Sequence, residues 1–370
     1  MPLVIVHTGT NEQRSKIAMF DLDGTIIKTK SGKIFPKDND DWEFLNPTIP
    51  KRLQDLHREG YSIYILTNQA GVASGRQNID DLRLKLNKIL EAIDVPVKVF
   101  IATDKDYWRK PNTSIVEKYI LDPNIVPEKI FYVGDAAGRP ADFSDSDRKF
   151  AFNIYILMRY MYPGLLKSQY PRFYTEDEYW NSAKSKLTWR GIDPATVGKQ
   201  FVGTWLKNIK LCTNKFGPGR YLIFMIGPPG SGKSSMSKAL AKRFGAAVVN
   251  RDTMKTSIVK YAKAAVADGK SLIVDNTNPS NRSREPFLKL VGDDYKVLYF
   301  IMDINADIAR HLNIVRERMD INAKQIPEIA YRMFSKNYEV PSGGEIIYIP
   351  FIPCFTSKKH KMYYLQRSIS

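Results

Sequence analysis

Two aspartates near the start of the chain stand two positions apart, in the stretch Asp-Leu-Asp-Gly-Thr at residues 21–25. The stretch follows the apolar run 17–20, and side chains two positions apart in an extended segment point the same way. One carboxylate could attack a phosphorus atom while the other protonates the leaving oxygen and then deprotonates water. The spacing therefore predicts phosphate-ester hydrolysis, with Asp21 as the nucleophile and Asp23 as the acid/base, although such a stretch also occurs as a plain turn.

Three later segments offer groups that the same reaction needs. Thr67 and Asn68 end an apolar run and could hydrogen-bond the phosphoryl group during its transfer. Lys110 could hold the phosphate beside the nucleophile, and Asp135 follows another apolar run. Because two carboxylates repel a phosphate dianion, we expect Mg²⁺, bound by both aspartates of the first motif and by Asp135. Four such segments in this order favour a phosphatase over an isolated turn.

A motif for the opposite reaction occupies residues 227–234, which fit the pattern G-x-x-x-x-G-K-[ST] between an apolar run and a helical stretch. Backbone N–H groups in such a loop hold the phosphates of a nucleoside triphosphate, the lysine reaches the outer phosphates, and the serine binds Mg²⁺. The motif predicts a kinase with ATP as the phosphoryl donor. The expected nucleotide-binding residues are Gly227, Gly230, Gly232, Lys233, Ser234 and Ser235.

The sequence does not decide between two roles for each residue that could act on the phosphoryl acceptor. Asp252 follows a short apolar run and could accept the proton of an attacking hydroxyl, or it could cap the next helix. Asp275 ends another run and could serve the metal or the acceptor. Arg310, Arg316 and Arg318 lie on one predicted helix, which could carry a lid arginine or could face solvent.

Apolar runs that alternate with helical stretches must position these groups. Residues 50–60 and 80–93 are predicted helices, and residues 173–178 resemble a capped helix start. Parallel sheets with crossover helices are predicted, with ligands at the carboxyl ends of the strands. The fold class is therefore α/β with two domains: residues 1–182, a linker 183–215, and residues 216–370. The predicted strands are 17–20, 62–66, 97–101 and 130–133 in the first domain, and 222–226, 247–249, 271–274 and 297–302 in the second.

Composition restricts the partners. The 370 residues include 56 Lys and Arg against 39 Asp and Glu, a net charge of +17 that favours a polyanion such as nucleic acid. Trp108, beside Arg109 and Lys110, could stack on a terminal base or pack on the core. Two cysteines are too few for a disulfide framework. No apolar run is long enough to span a bilayer, so no membrane partner is expected.

Longer strings are more specific than either motif. Residues 131–140, Phe-Tyr-Val-Gly-Asp-Ala-Ala-Gly-Arg-Pro, resemble the bifunctional polynucleotide kinase 3′-phosphatases of DNA end repair, as do Asn-Arg-Asp-Thr at 250–253 and Asp-Asn-Thr-Asn-Pro at 275–279. The resemblance extends from about residue 16 to about residue 353, with the phosphatase first as in eukaryotic members. It implies a haloacid-dehalogenase-like, Rossmannoid phosphatase domain followed by a P-loop kinase domain.

The resemblance also implies roles. The phosphatase residues would be Asp21, Asp23, Thr67, Asn68 and Lys110 with Asp135 at Mg²⁺, and the kinase residues Lys233, Ser234 and Asp252. Arg310 would be the lid arginine, with Arg316 as the competing choice. The substrates would be nicked, gapped or broken DNA ends, or RNA ends. Only about sixteen residues precede the first predicted strand, so the forkhead-associated domain of animal members is not expected. A monomer is expected, nuclear if the source is eukaryotic and otherwise cytoplasmic, including a viral protein.

Three alternatives stay open at this point. A metabolic enzyme that joins a small-molecule kinase to a small-molecule phosphatase would carry the same short motifs. An end-binding protein with inactive sites would keep the charge without the chemistry. A phosphatase with an inactive kinase half would lose nothing when Asp252 is replaced. The net charge and the longer strings favour the end-repair interpretation.

Overall fold

The computed structural model describes residues 2–10, 12–34, 36–197, 210, 213–254, 257–320, 323 and 326–368. The chain forms two compact units. Unit 1 comprises Met1–Ile192 together with Ser357–Ser370, and unit 2 comprises Asp193–Thr356. Within the described ranges, no helix is both long and apolar enough to cross a membrane.

The strands described in unit 1 are β1 (Leu3–His7), β2 (Lys16–Phe20), β3 (Ile27–Lys28), β4 (Glu43–Phe44), β5 (Tyr61–Asn68), β6 (Val97–Ala102), β7 (Lys129–Val133) and β8 (Arg172–Tyr174). Six of them form one sheet in the order β1-β6-β5-β2-β7-β8, while β3 and β4 pair with each other. Only β1 runs antiparallel to its neighbour in the six-stranded sheet. β2 and β5 are buried along nearly their whole length, as parallel strands covered on both faces are.

The four strands predicted for the first domain are confirmed as β2, β5, β6 and β7. The strands at the two edges, β1 and β8, were not predicted, because edge strands are buried less regularly and β8 has only three residues. The helices of this part are α1 (Ile49–Arg58), α2 (Ile79–Ile93), α3 (Ser146–Met161) and α4 (Glu176–Asn181). The capped start predicted for α4 is confirmed, because the Thr175 and Glu178 side chains each accept the other residue's backbone N–H.

Unit 2 contains a parallel sheet in the order β10-β11-β9-β12-β13, formed by β9 (Arg220–Ile226), β10 (Ala247–Val249), β11 (Leu272–Asp275), β12 (Tyr295–Asp303) and β13 (Glu345–Pro350). Its described helices are α5 (Lys233–Phe244), α6 (Arg251–Met254), α7 (Ile258–Ala267), α8 (Asn281–Leu288), α9 (Ala306–Met319) and α10 (Glu328–Asn337). The four predicted strands of this domain are confirmed as β9 to β12, and the edge strand β13 was not predicted. β9 lies at the centre, so the loop that follows it emerges in the middle of the sheet edge.

The last described helix, α11 (Lys358–Leu365), belongs to unit 1. The Gln366 side chain, fully buried, donates to Thr113 Oγ1 at 3.0 Å, and the Arg367 N–H donates to Asn153 Oδ1 at 2.6 Å. The prediction that residues 216–370 form one domain is therefore wrong for its final part. The physical reason is that buried polar groups need partners, and unit 1 supplies them.

The predicted linker 183–215 also begins too early. Residues 183–192 are part of unit 1. The Thr188 N–H donates to Gly138 O at 3.2 Å, and the Arg190 N–H donates to Asp145 Oδ2 at 2.8 Å. Residues 198–209, 211 and 212 of the predicted linker lie outside the described residues.

The role of Asn153 in joining α3 to the C-terminal segment can be tested by Asn153→Ala. The amide donates to Pro111 O and Arg367 O, both at 2.8 Å, so its removal breaks two buried hydrogen bonds. We expect a loss of about 2–3 kcal/mol of unfolding free energy. For a unit of this size, that loss lowers the thermal transition by about 4–10 °C, which calorimetry can measure. Asn87→Ala on the exposed face of α2 is the control, and equal transitions for the two variants would contradict the assignment.

Candidate active sites

The carboxyl ends of β5, β2 and β7 meet at one edge of the unit 1 sheet, because these strands are adjacent and parallel. Asp21 directly follows β2, Thr67 and Asn68 end β5, and Asp135 lies two residues after β7. The Asp21 N–H donates to Val133 O at 2.9 Å, which continues the pairing of β2 with β7 past the end of β2. The structure thus brings the predicted phosphatase segments together.

A buried ammonium group lies at the centre of this cluster. Lys110 Nζ donates to Asp21 Oδ1 at 2.5 Å, to Tyr132 Oη at 2.7 Å and to Asp147 Oδ1 at 2.8 Å. The Asn68 side chain holds the lysine backbone, accepting from Lys110 N at 3.0 Å and donating to Lys110 O at 3.2 Å. All three side-chain protons of Lys110 therefore have acceptors, and its position is fixed at both ends of the residue.

The charges of the cluster shift one another's protonation. Burial raises the pKa of Asp21 to about 7, although the Lys110 charge works in the opposite direction. Burial, followed by the charges of Asp21 and Asp147, raises the pKa of Asp135 to about 9. Burial disfavours the Lys110 ammonium, but the carboxylates of Asp147 and Asp21 outweigh burial and raise its pKa. The three carboxyl groups outnumber the single ammonium group of Lys110, which favours their protonated forms in the absence of a further cation.

Three carboxylates can share a cation here. Oxygens of Asp21, Asp135 and Asp147 lie within 4.8 Å of one another. Asp147 was missed as a site residue, although it lies in the stretch after Gly-Arg-Pro; Tyr132 was missed as well, one residue before the end of β7. Both were passed over because their role depends on contact with Lys110, which is distant in sequence.

Asp23 does not join this group of carboxylates. Its side chain is half exposed, Oδ2 accepts from Gln69 Nε2 at 2.6 Å, and Oδ1 lies 3.8 Å from Lys85 Nζ. The inclusion of the Asp23 side chain among the metal ligands is therefore not supported. β2 ends at Phe20 and Gly24 has φ +76°, so the chain has left the extended conformation on which the shared direction depended.

Two further predicted groups have clear positions. Thr67 is buried, and its Oγ1 accepts from Gln69 Nε2 at 2.8 Å. Trp108 is also buried and packs against Tyr119 with ring centroids 5.9 Å apart, which excludes it as a platform for a terminal base. The alternative, an aromatic side chain packed on the core, is correct.

In unit 2, the loop 227–232 connects β9 to α5, as the nucleotide-binding motif requires. Gly232 has φ +88° and caps the helix, and a Cβ on Gly230 would lie 2.6 Å from Ala309 O. Lys233 Nζ donates to Gly227 O at 3.0 Å and to Pro228 O at 2.7 Å. Burial lowers the pKa of Lys233 to about 8, opposed by the charges of Asp275 and Asp252.

The remaining kinase residues surround this loop. Ser234 and Ser235 are exposed in the first turn of α5. Asn250 Oδ1 accepts from Asp252 N at 2.7 Å, so Asn250 provides the cap, and the side chain of Asp252 is exposed. Asp275 is buried, and its Oδ1 has no hydrogen-bond partner among the described residues. The cap interpretation of Asp252 is therefore excluded, whereas a role in accepting a proton fits its exposure.

The arginine predicted as the lid residue is held by carboxylates. Arg310 donates to both oxygens of Glu328, at 2.8 and 2.6 Å, and to Asp307 Oδ1 at 2.8 Å. The competing Arg316 donates to Asn313 Oδ1 at 2.8 Å. Neither arrangement tests the lid role, which stays a prediction.

The folds and sites together define a two-domain enzyme, a phosphatase of the haloacid-dehalogenase class joined to a P-loop kinase. The family described as "Polynucleotide kinase 3 phosphatase" matches residues 16–164, and the family described as "AAA domain" matches residues 222–264. These matches fall on units 1 and 2, respectively.

Relatives match over most of the chain. The chain is 30% identical over 355 residues to the "Bifunctional polynucleotide phosphatase/kinase" of Schizosaccharomyces pombe, covering 93% of this chain and 80% of the relative. It is also 30% identical to a "Putative bifunctional polynucleotide phosphatase/kinase" of Acanthamoeba polyphaga mimivirus, covering 89% and 82%. A "Polynucleotide 3'-phosphatase ZDP" of Arabidopsis thaliana is 38% identical over 161 residues, covering 39% and 23%. The chain belongs to the bifunctional polynucleotide phosphatase/kinase family.

The space that Gly24 leaves for Asp135 is testable by Gly24→Ala. A Cβ at Gly24 would lie 2.5 Å from Asp135 Oδ2, so the carboxylate must move. We expect phosphatase activity to fall by about 10²-fold, since small displacements of reacting groups cost that much. Gly60→Ala is the control, because Gly60 also has positive φ but open space around its Cβ position. Equal activity of the two variants would refute the steric argument.

Proposed function

We propose that this protein repairs nucleic acid ends by removing 3′-phosphates in unit 1 and phosphorylating 5′-hydroxyls with ATP in unit 2. The observation that carries the proposal is that a single chain of this family contains two separate clusters suited to phosphate, one around Lys110 and one around Lys233. The products, a 3′-hydroxyl and a 5′-phosphate, are the ends that a polymerase and a ligase use. The metabolic alternative has no comparable support.

In the phosphatase reaction, Asp21 attacks the phosphorus of the terminal 3′-phosphate, and the bond to the 3′-oxygen breaks. Asp23 gives its proton to that oxygen and later takes a proton from the water that cleaves the aspartyl-phosphate. Lys110, fixed 2.5 Å from Asp21 Oδ1, neutralises charge on the phosphoryl group. Thr67 contacts the phosphoryl oxygens, and Asn68 keeps the Lys110 backbone in place.

A divalent cation fits the carboxylates of unit 1. Their oxygens lie within 4.8 Å of one another, and burial together with mutual repulsion raises the pKa values of Asp21 and Asp135. Asp147 already accepts hydrogen bonds on both oxygens, from Lys110, Tyr132 and the Ala136 N–H. We therefore assign Asp21 and Asp135 as the main ligands of Mg²⁺, with Asp147 as a third carboxylate within reach. When bound, Mg²⁺ lowers the repulsion between the nucleophile and the phosphate dianion.

In the kinase reaction, the backbone of the loop 227–232 and the start of α5 bind the phosphates of ATP. Lys233 contacts the outer phosphates, and Ser234 and the buried Asp275 serve the Mg²⁺ that accompanies ATP. Asp252 accepts the proton of the 5′-hydroxyl, since its side chain is exposed and not used as a cap. Arg310 stays the proposed lid arginine.

The substrate is a polynucleotide end. A net charge of +17 favours binding to phosphodiester chains. The affinity should decrease steeply as the salt concentration rises, because the release of condensed counterions then becomes less favourable. We propose DNA ends as the main substrate, with RNA ends as the alternative, and a monomer as the active form. The protein would act where the DNA is, in the nucleus of a eukaryotic source and otherwise in the cytoplasm.

A nicked duplex tests the proposed function directly. The nick carries a 3′-phosphate and a 5′-hydroxyl, and both termini are followed in the presence of Mg²⁺ and labelled ATP. We expect both ends to be converted, because unit 1 and unit 2 each contain a site suited to one terminus. The proposal fails if neither end changes while a free nucleotide or a sugar phosphate is turned over.

Two substitutions separate the sites. Asp21→Asn should lower 3′-phosphate removal by about 10³-fold or more, because the nucleophile is lost. Lys233→Ala should abolish 5′-phosphorylation, since the contact with the outer phosphates of ATP is lost. Each variant should keep the other activity, and Lys238→Ala on the exposed face of α5 should keep both. If either site variant abolished both activities, two independent sites would be excluded.

A further inference from the structure

A lysine lies on the buried face of α2. The buried residues of this helix are otherwise apolar: Leu82, Leu86, Ile89, Leu90 and Ile93. Lys85 lies among them and is only 5% exposed. Lysine is almost never buried to this degree unless it is paired. The partner of Lys85 therefore indicates what this side chain does.

The partner is the proposed acid/base. Lys85 Nζ lies 3.8 Å from Asp23 Oδ1, and this is the ion pair that Lys85 makes within the described part of the chain. The other oxygen of Asp23 accepts from Gln69 Nε2 at 2.6 Å, and the same amide donates to Thr67 Oγ1 at 2.8 Å. Both oxygens of Asp23 are thus anchored from outside the Lys110 cluster.

The two anchors differ in a way that matters for proton transfer. Gln69 makes a short hydrogen bond to Oδ2 and occupies that oxygen. Lys85 is farther from Oδ1 than the roughly 2.7–3.2 Å of a hydrogen bond, so it attracts the carboxyl group by charge without occupying the oxygen. Oδ1 is therefore the less occupied oxygen and the better placed of the two to exchange a proton with the substrate or water.

Stability does not account for a buried lysine at this position. Replacing a buried charged pair with apolar side chains of similar size is often neutral or stabilising, because ions lose hydration when buried. An apolar residue at position 85 would also continue the packing of α2. A role in the reaction accounts better for this lysine, because the position of a proton donor strongly affects the reaction rate.

We propose that Lys85 is a positioning residue of the phosphatase, which together with Gln69 holds the Asp23 carboxyl group against the leaving 3′-oxygen. The inference rests on the proposed 3′-phosphatase function. As the Asp21 oxygen bonds to phosphorus and the bond to the 3′-oxygen breaks, that oxygen takes the proton of Asp23. Water then attacks the phosphorus and gives a proton to Asp23. The bond between phosphorus and Asp21 breaks, so that inorganic phosphate and free Asp21 are released.

The leaving group provides the test, with full-length Lys85→Met. A 3′-oxygen needs a proton as it leaves, whereas p-nitrophenolate needs little help. We expect kcat for an oligonucleotide 3′-phosphate to fall by about 10²-fold with little change in KM. The initial burst of p-nitrophenolate from p-nitrophenyl phosphate should change far less. The thermal transition should stay the same or rise, and 5′-phosphorylation should be unaffected.

Two variants complete the comparison. Lys88→Met replaces an exposed lysine on the same helix, which pairs with Asp40 at 2.5 Å. This variant should keep the wild-type phosphatase activity on both substrates. Lys85→Arg keeps the charge and should retain more of kcat on the oligonucleotide than Lys85→Met does.

Other results would overturn the inference. A lower thermal transition with an equal loss on both substrates would assign Lys85 a packing role, and unchanged kcat on the oligonucleotide would remove any role. The wild-type enzyme tests the proposed function separately: if it hydrolysed only the aryl phosphate, the 3′-phosphatase function would fail, whatever the ratio between Lys85→Met and wild type.

Discussion

The ammonium group of Lys110 is almost completely buried, and groups from three parts of the fold stabilise its charge. Asp21 comes from the end of β2, Tyr132 from β7 and Asp147 from the first turn of α3. A buried charge that loses one partner is costly, so the fold must deliver all three partners to the same point. Gly134 meets this demand, since a Cβ there would lie 2.6 Å from the Asp147 side chain.

The lysine of unit 2 has a different environment. Lys233 donates to backbone carbonyls of its own loop, and its carboxylate neighbours only partly offset the burial that lowers its pKa to about 8. Lys110 has two carboxylates in direct contact, and its pKa is raised. The physical contrast matches the two reactions. One lysine is part of a rigid charged network beside a nucleophile, and the other gains its strongest electrostatic partner from the phosphates of a nucleotide.

The sequence predicted eight of the described strands and most site segments, because apolar runs followed by polar motifs are local signals. The strands β2, β5 and β7 and the residues that follow them were found in this way. The site predictions that were wrong or incomplete depended on turns or on contacts between residues distant in sequence. The Asp23 side chain pairs with Gln69 and Lys85 outside the carboxylate cluster, and the position of Asp147 in the site depends on its contact with the distant Lys110. Lys85 had a usable signal, a charged residue in an apolar stripe, but its meaning required the distance to Asp23.

The final described segment completes unit 1 from the far end of the chain. Residues after Ser357 are part of unit 1, although unit 2 lies between them and the rest of unit 1 in sequence. Their contacts, such as that of Gln366 with Thr113, join residues 253 positions apart, and such long-range contacts form slowly. The Pro111 carbonyl, next to Lys110, is held by Asn153, which also binds Arg367. The buried surroundings of the phosphatase lysine therefore include residues from both sides of unit 2 in the sequence.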